Sequence, residues 1–280
     1  MNIKPSKGYR IFQVFNTIFM IIIIFITLYP FVYLVAQSFS SEAAVSAGKV
    51  TFFPIDFTLD TYKYILRDDS FFHYYGNTIL YSVIGTVISV VCTALLAYPL
   101  SKPKLRLNKF LTPFVVFTMY FTGGLMGFQD SMLAIVLPGA ISTFNLLVMK
   151  SFFAGLPEEL EEAASIDGMG TYGIFLKIII PLSKPIIATM CLFYLVGMWN
   201  EWFGPMMYLE TKDKWPIALW VRQLVEGANN TEIGTSAEAS SVQATLKSAT
   251  MVLTTLPIVC VYPFVQRYFV QGMTIGAVKG

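Results

Sequence analysis

Asn200 and Glu201 sit between Trp199 and Trp202 in the stretch LVGMWNEWFGPMMYL, with Gly204-Pro205 just behind them. A carboxylate inside an apolar run costs about 2.5–3.5 kcal/mol on insertion scales, so such a group is normally turned toward a pore or a partner. Aromatic rings cover the apolar C–H face of a sugar while amides and acids bind its hydroxyls. These four residues, with Asn145 in a separate apolar run, fit the lining of a translocation path. An aromatic belt at a membrane surface, with Glu201 near water, fits them too. Both readings stay open here, and the path is the working expectation.

Other chemistry is thinly represented. His73, the sole histidine, has no metal-ligand companions, and Cys92, Cys191 and Cys260 fall in apolar runs without disulfide or zinc spacing. Gly168, Gly170 and Gly173 satisfy G-x-G-x-x-G. That fingerprint needs a preceding strand, whereas a glutamate-rich helical stretch precedes it here, so dinucleotide binding is rejected. No G-x-x-x-x-G-K-[ST], H-E-x-x-H, C-x-x-C or G-x-S-x-G occurs. A membrane-embedded enzyme has no visible constellation to work with.

The second informative stretch is PEELEEAASIDGMGTYGIFLKIIIP, from Pro157 to Pro181. Pro157 pre-sets a first helical turn, and Glu158, Glu159, Glu161 and Glu162 complement the positive end of the helix dipole. Ala163 and Ala164 keep one surface low enough for a partner groove to approach. Gly168 can adopt the left-handed conformation that ends a helix. The expected product is a short rigid knob that can receive a push.

These elements need a membrane scaffold. The chain is 55% hydrophobic and 13% charged, against roughly 25% charged in soluble domains. Its net charge of +2 leaves no nucleic-acid footprint. Stretches 11–36, 77–100, 110–128, 132–153, 184–209 and 244–266 approach the 20 or so apolar residues that a span requires. The expected fold is an all-α polytopic membrane protein with six transmembrane helices. Lys4, Lys7 and Arg10, then Lys102, Lys104, Arg106 and Lys109, mark the inner side. The opposite connections hold Asp56, Asp60, Asp68, Asp69, Glu226, Glu232 and Glu238. Both termini are thus expected in the cytoplasm, and so is the 157–181 loop.

The first span is too long for a signal-peptide core and reads as an uncleaved anchor. An amphipathic helix is expected from a Thr58 or Asp60 cap, serving either as a docking surface for an external partner or as an interfacial anchor. Gly85, Ser89, Thr93, Ala94 and Ala97 suit close packing of the second span. Gly123 and Gly127 have GxxxG spacing, and Pro138 is expected to kink the fourth span and free carbonyls. Asn229-Asn230-Thr231 matches a sequon that is frequent by chance. The tail QRYFVQGMTIGAVKG reads as too glycine-rich for a stable helix. Residues 1–76, 77–266 and 267–280 are expected to form an anchor segment, a five-helix core with a helix at 157–170, and a cytoplasmic tail.

The loop follows the pattern E-A-A, three residues, G, nine residues, I-x-L-P, with Ile180 in the leucine position. It resembles the cytoplasmic coupling loop of the membrane subunits of ATP-binding-cassette importers. With the tail and the topology, it looks like the second permease subunit of maltose-type carbohydrate importers, which have a type I ABC importer permease fold. FFPIDFTLDTYKYIL, LPEELEEAASIDG, IIIPLSKPIIAT and GMWNEWF are most similar to permeases for complex oligosaccharides, including the rhamnogalacturonan systems of Gram-positive bacteria. The resemblance implies a heterodimer with a homologous second permease in the bacterial cell membrane. It also implies two copies of a cytoplasmic ABC ATPase that binds ATP and Mg, and an extracellular solute-binding lipoprotein. Glu162, Ala163, Ala164 and Gly168 would then dock into the ATPase, and Gly272, Thr274, Gly276 and Lys279 would reach between its two copies. This chain would need no cofactor or catalytic site of its own. An ion-coupled secondary transporter would instead call for paired intramembrane acids or inverted repeats; the chain shows one such acid and no evident repeat. A permease for another solute remains the nearer alternative.

Overall fold

The computed structural model describes residues 7–102, 108–118, 128–229 and 243–277. They form helices α1 (Lys7–Ser38), α2 (Glu42–Ser46), α3 (Asp60–Arg67), α4 (Asp69–Ser101), α5 (Asn108–Thr118), α6 (Met132–Val136) and α7 (Thr143–Ala154). Next come α8 (Glu158–Ile166) and α9 (Thr171–Ile174), which runs through a π turn (Phe175–Ile179) into α10 (Ile180–Leu182). Last are α11 (Lys184–Trp199), α12 (Phe203–Tyr208), α13 (Ile217–Asn229) and α14 (Gln243–Ala277). No strand occurs among the described residues. Gly8–Ser38, Asp69–Ser101 and Ala244–Val261 are long and apolar enough to cross a membrane, and Thr171–Leu182 with Lys184–Trp199 is a fourth candidate, bent by 80°.

The chain divides into two compact units. The first joins residues 1–69 to 223–255. In it α1 is exposed along most of its length, including Ile11, Phe12, Phe15 and Phe25, as expected of a helix solvated by lipid. The α1–α3 connection is tied down by side chains. Ser41 caps α2 by accepting from the Ala44 amide at 3.3 Å. The Glu42 carboxylate accepts from the Ala244 amide at 2.8 and 2.9 Å, placing a negative charge at the start of α14. The Thr58 hydroxyl accepts from the Asp60 amide at 3.2 Å, but the residue in the N-cap position of α3 is Leu59 and no side chain caps the helix, so the cap expected at Thr58 or Asp60 is not formed. Of the apolar side chains of α3, Ile65 is buried while Leu66 is exposed.

The second unit joins residues 70–222 to 256–280. Helix α4 buries Thr78, Ser82, Gly85, Ser89, Thr93 and Ala97 along one face, and these small residues let α11 come close. At Gly85 a Cβ would meet the Met198 side chain at 3.1 Å. The main core joins the ends of α4, α7 and α11 to the α8–α10 segment, through Tyr98, Met149, Phe153, Ala164, Phe175 and Met190.

Two of the expected spans are broken. Residues 132–153 divide at Leu137–Ser142, where Pro138-Gly139 removes a donor and the Ser142 side chain caps the restart. Residues 184–209 divide after Trp199, with Asn200 closing α11 and α12 starting at Phe203. The tail differs more sharply from expectation, since α14 continues to Ala277. Two glycines cost about 1 kcal/mol each, but extending a helix that is already formed carries no nucleation cost. Gly123, Gly127 and Lys279 lie outside the described residues.

Candidate functional site

Helix α8 forms the first candidate feature. Pro157 (φ −60°, ψ 124°) precedes it in extended conformation, and Glu158, Glu159 and Glu161 occupy its first turn. Gly168 ends it at φ +81°. The Met169 amide bonds the Ala164 carbonyl at 2.9 Å and the Gly168 amide bonds the Ser165 carbonyl at 3.1 Å. That pair of bonds is the Schellman motif, with glycine in the left-handed position. Met169 then packs on the core cluster that contains Ala164, as the motif favours.

The two alanines part company. Ala164 is 6% exposed and belongs to the core, whereas Ala163 faces outward with Glu162 and Gly168. With its side chain in the core, Ala164 does not lie on the outward surface with Ala163. The outer face is formed by Glu162, Ala163, Ile166 and Gly168, with Ile166 85% exposed. Glu161 turns the other way: Tyr98 donates to its Oε2 at 3.1 Å and Lys102 forms an ion pair with its Oε1. Gly272, Thr274 and Gly276 lie in the last turns of α14.

A cleft of about 970 Å³ is the second feature. Asn145 and Glu201 both line it, with Tyr194, Phe193, Phe203 and Tyr208. Pro138 and Gly139 line it as well, so the broken backbone faces a cavity as expected. The other three residues of the expected constellation are not brought there. Trp199 packs edge-on against Tyr75 at 5.6 Å and lines a separate apolar slot of about 90 Å³. Asn200 is exposed and donates back to the Val196 carbonyl at 2.8 Å. Trp202 carries the Arg222 guanidinium 3.4 Å above its ring centre. The helix break at Asn200–Trp202 sends adjacent residues in different directions. Tyr194, which no local motif marks, is the residue the sequence reading missed. Its 194, 198, 201 spacing to Met198 and Glu201 is that of one helix face and was the available signal. Its hydroxyl accepts from the Ser142 amide at 3.0 Å and shares a 2.6 Å hydrogen bond with Thr93. One oxygen thus joins α4, α11 and the start of α7.

Glu201 has a second job. Its Oε1 accepts from the Gly204 amide at 2.8 Å, at the start of α12. Nearby, Asp130 (φ +56°) receives Lys214 Nζ at 2.6 Å, the Thr211 hydroxyl at 2.7 Å, and the Thr211 and Glu210 amides at 3.0 and 3.2 Å. His73 and the Asn77 amide both bond the Asp213 carbonyl at 2.6 Å, which gives the sole histidine a structural place. The Lys214 hydrogen bond, followed by the Thr211 amide and hydroxyl, holds the Asp130 carboxyl well below the usual carboxylate range. A depressed carboxylate stabilises above its unfolded pKa of about 3.9 and stops doing so as pH falls through the lower folded value. The Glu210 and Thr211 amides should therefore keep their hydrogen-exchange protection from pH 7 to about pH 4. In Asp130→Ala that protection should already be lost at pH 7; unchanged exchange would show that the clamp holds nothing.

Among the described residues no cluster of three or more His, Cys, Asp or Glu could hold a metal. Residues 110–275 match the family described as binding-protein-dependent transport system inner membrane component. Protein LplC of Bacillus subtilis (strain 168) is 40% identical, the match covering 98% of this chain and 97% of that one. The polygalacturonan/rhamnogalacturonan transport system permease protein YtcP of the same organism is 38% identical, over 97% of this chain and 99% of that one. A solved bacterial ABC transporter involved in the import of the acidic polysaccharide alginate contains a chain of TM-score 0.85 and 31% identity. That match spans 96% of this chain and all of the other.

Proposed function

We propose, from the premise that this chain belongs to the binding-protein-dependent transport system inner membrane component family, that it is the permease subunit of an ATP-driven oligosaccharide importer in a bacterial cell membrane. The observation that carries the proposal is α8. It is a capped helix with a glycine stop and one outward face, fastened to the core by the other. The cargo class is supported by the relatives' names, since YtcP is a permease for polygalacturonan or rhamnogalacturonan and the solved importer takes up alginate.

In this reading six spans cross the membrane, both termini are cytoplasmic, and α8 faces the cytoplasm. Glu162, Ala163 and Gly168 contact a separate ABC ATPase, and Ala164 seats the helix from beneath. Gly272, Thr274, Gly276 and Lys279 extend toward the same partner. ATP and Mg stay on that ATPase, which is present in two copies. A homologous second permease supplies the other half of the path, and an extracellular binding lipoprotein, as in Gram-positive cells, delivers the sugar. Asn145 and Glu201 are the polar groups of this chain's half. Trp199, Asn200 and Trp202 flank Glu201 at the helix break and stay outside the cleft lining.

The test is purification of the intact complex through a tag on this chain, reconstitution into liposomes, and uptake of a labelled glycan panel. Uptake should require ATP inside and binding protein outside, and should be selective among oligosaccharides. Uptake driven by an ion gradient without ATP, or absence of an ATPase from the complex, would sink the proposal.

A further inference from the structure

We propose that Tyr98, Lys102 and Glu161 form a latch that makes α8 and α4 move as one body, so that force received by α8 enters the molecule through α4. The proposal rests on the reading of α8 as the coupling helix. Tyr98 lies in the last turn of α4, which ends at Ser101, and Lys102 follows directly, its amide bonded to the Pro99 carbonyl at 3.1 Å. Between them they engage both oxygens of Glu161: the Tyr98 hydroxyl donates to Oε2 at 3.1 Å and Lys102 pairs with Oε1. The Lys102 ammonium also lies 5.0 Å over the Tyr98 ring. The paired side chains are only 26% and 17% exposed, so water screens them less than a surface pair. The Tyr98 ring also meets Phe175 of the π turn at 5.0 Å. One end of α4 therefore grips both arms of the α8–α10 segment. Around the latch lies an open groove of about 790 Å³ lined by Leu95, Pro99, Ser165, Tyr172 and Phe175.

The other end of the connection is equally concrete. About one and a half helical turns from Tyr98, at Thr93, and again about three and a half turns away, at Gly85, α4 touches α11 through the Tyr194 hydroxyl and the Met198 side chain. Tyr194 and Met198 both line the 970 Å³ cleft. A rigid α4 gripped at Glu161 would thus carry displacement to the cleft wall. Tyr98, Lys102 and Glu161 are positioning residues in this scheme, and none needs to touch sugar or nucleotide.

Spatial continuity does not by itself demonstrate coupling, so the test reads motion directly. In the intact complex, with Cys92, Cys191 and Cys260 replaced by alanine, spin labels are placed at Leu95 on α4 and Ser165 on α8. Distances are measured without nucleotide and with ATP plus vanadate. The unmodified latch should give one narrow distance that is the same in both states. Lys102→Gln and Glu161→Gln should each broaden it or shift it between states by roughly one helical turn, about 5 Å. The exchange Lys102→Glu with Glu161→Lys should restore the narrow distance. A distance that shifts with nucleotide while the latch is intact, or single variants as narrow as the parent, would overturn the latch. Gly168→Asp decides the underlying reading separately. If that variant keeps full stimulation of the ATPase, α8 is not the coupling helix, whatever the distances show. If it uncouples while the distances fail, only the latch is lost.

Discussion

Gly168→Asp should assemble into the complex in normal amount and lose stimulation of ATP hydrolysis by the loaded binding protein, by about tenfold or more. The fold tolerates the change because nothing lies within 4 Å of where a Cβ at Gly168 would sit. The remaining cost is that of a left-handed residue, roughly 1–2 kcal/mol for most side chains and less for aspartate. That is small beside the 5–15 kcal/mol of an ordinary domain. Function is another matter, because Gly168 is exposed on the face shared with Glu162 and Ala163. A carboxylate there adds bulk and charge where the ATPase would dock. Gly168→Ala is the control: it carries at least as much backbone strain, with one methyl and no charge. If alanine uncouples as fully as aspartate, the Schellman geometry matters and the surface does not. If aspartate leaves sugar-stimulated ATPase at the parent level, α8 has no coupling role.

Much of α8 was legible because its signals are local. Proline, four glutamates and a glycine stop describe a capped helix without help from the rest of the chain, and the structure has one at Glu158–Ile166. The long apolar runs at 11–36 and 77–100 were legible for the same reason, being uninterrupted hydrophobic stretches of spanning length. What escaped was set by distance or rotation. The Asp130–Lys214 clamp joins positions 84 apart, and no periodicity links them. The Glu161–Lys102 pair spans 59 positions, and four neighbouring glutamates look alike until one is turned inward. The WNEW tetrad looked like one site because its residues are adjacent. Adjacency across a helix break is a poor guide to a shared face, and only Glu201 of the four reached the cleft. The glycine count of the tail misled in the opposite sense, since a propensity measured for isolated residues was set against a helix already formed upstream.

Glu201→Gln should change which oligosaccharides are taken up, shifting relative uptake within a sugar panel by about tenfold, the size expected when one hydrogen bond to a charged group is altered. The choice of glutamine is deliberate. The Gly204 amide donates to Glu201 Oε1 at 2.8 Å, and the glutamine carbonyl can still accept that bond, so the start of α12 survives while the charge goes. Glu201→Ala removes both, and Asn145→Leu removes the neighbouring polar lining while keeping α7, whose cap is the Ser142 side chain. If the cleft is the sugar path, Glu201→Gln and Asn145→Leu alter selectivity with equal amounts of assembled complex. If Glu201 serves only to start α12, glutamine behaves as the parent across the panel and alanine alone fails. That second pattern would move the sugar site onto the partner permease and leave this chain as a scaffold for the cleft wall. Trp199→Ala separates the two cavities. Its ring lines the apolar slot with Ile79, Val83 and Pro257 and stays out of the cleft, so its loss should lower the amount of folded protein and leave selectivity where it was.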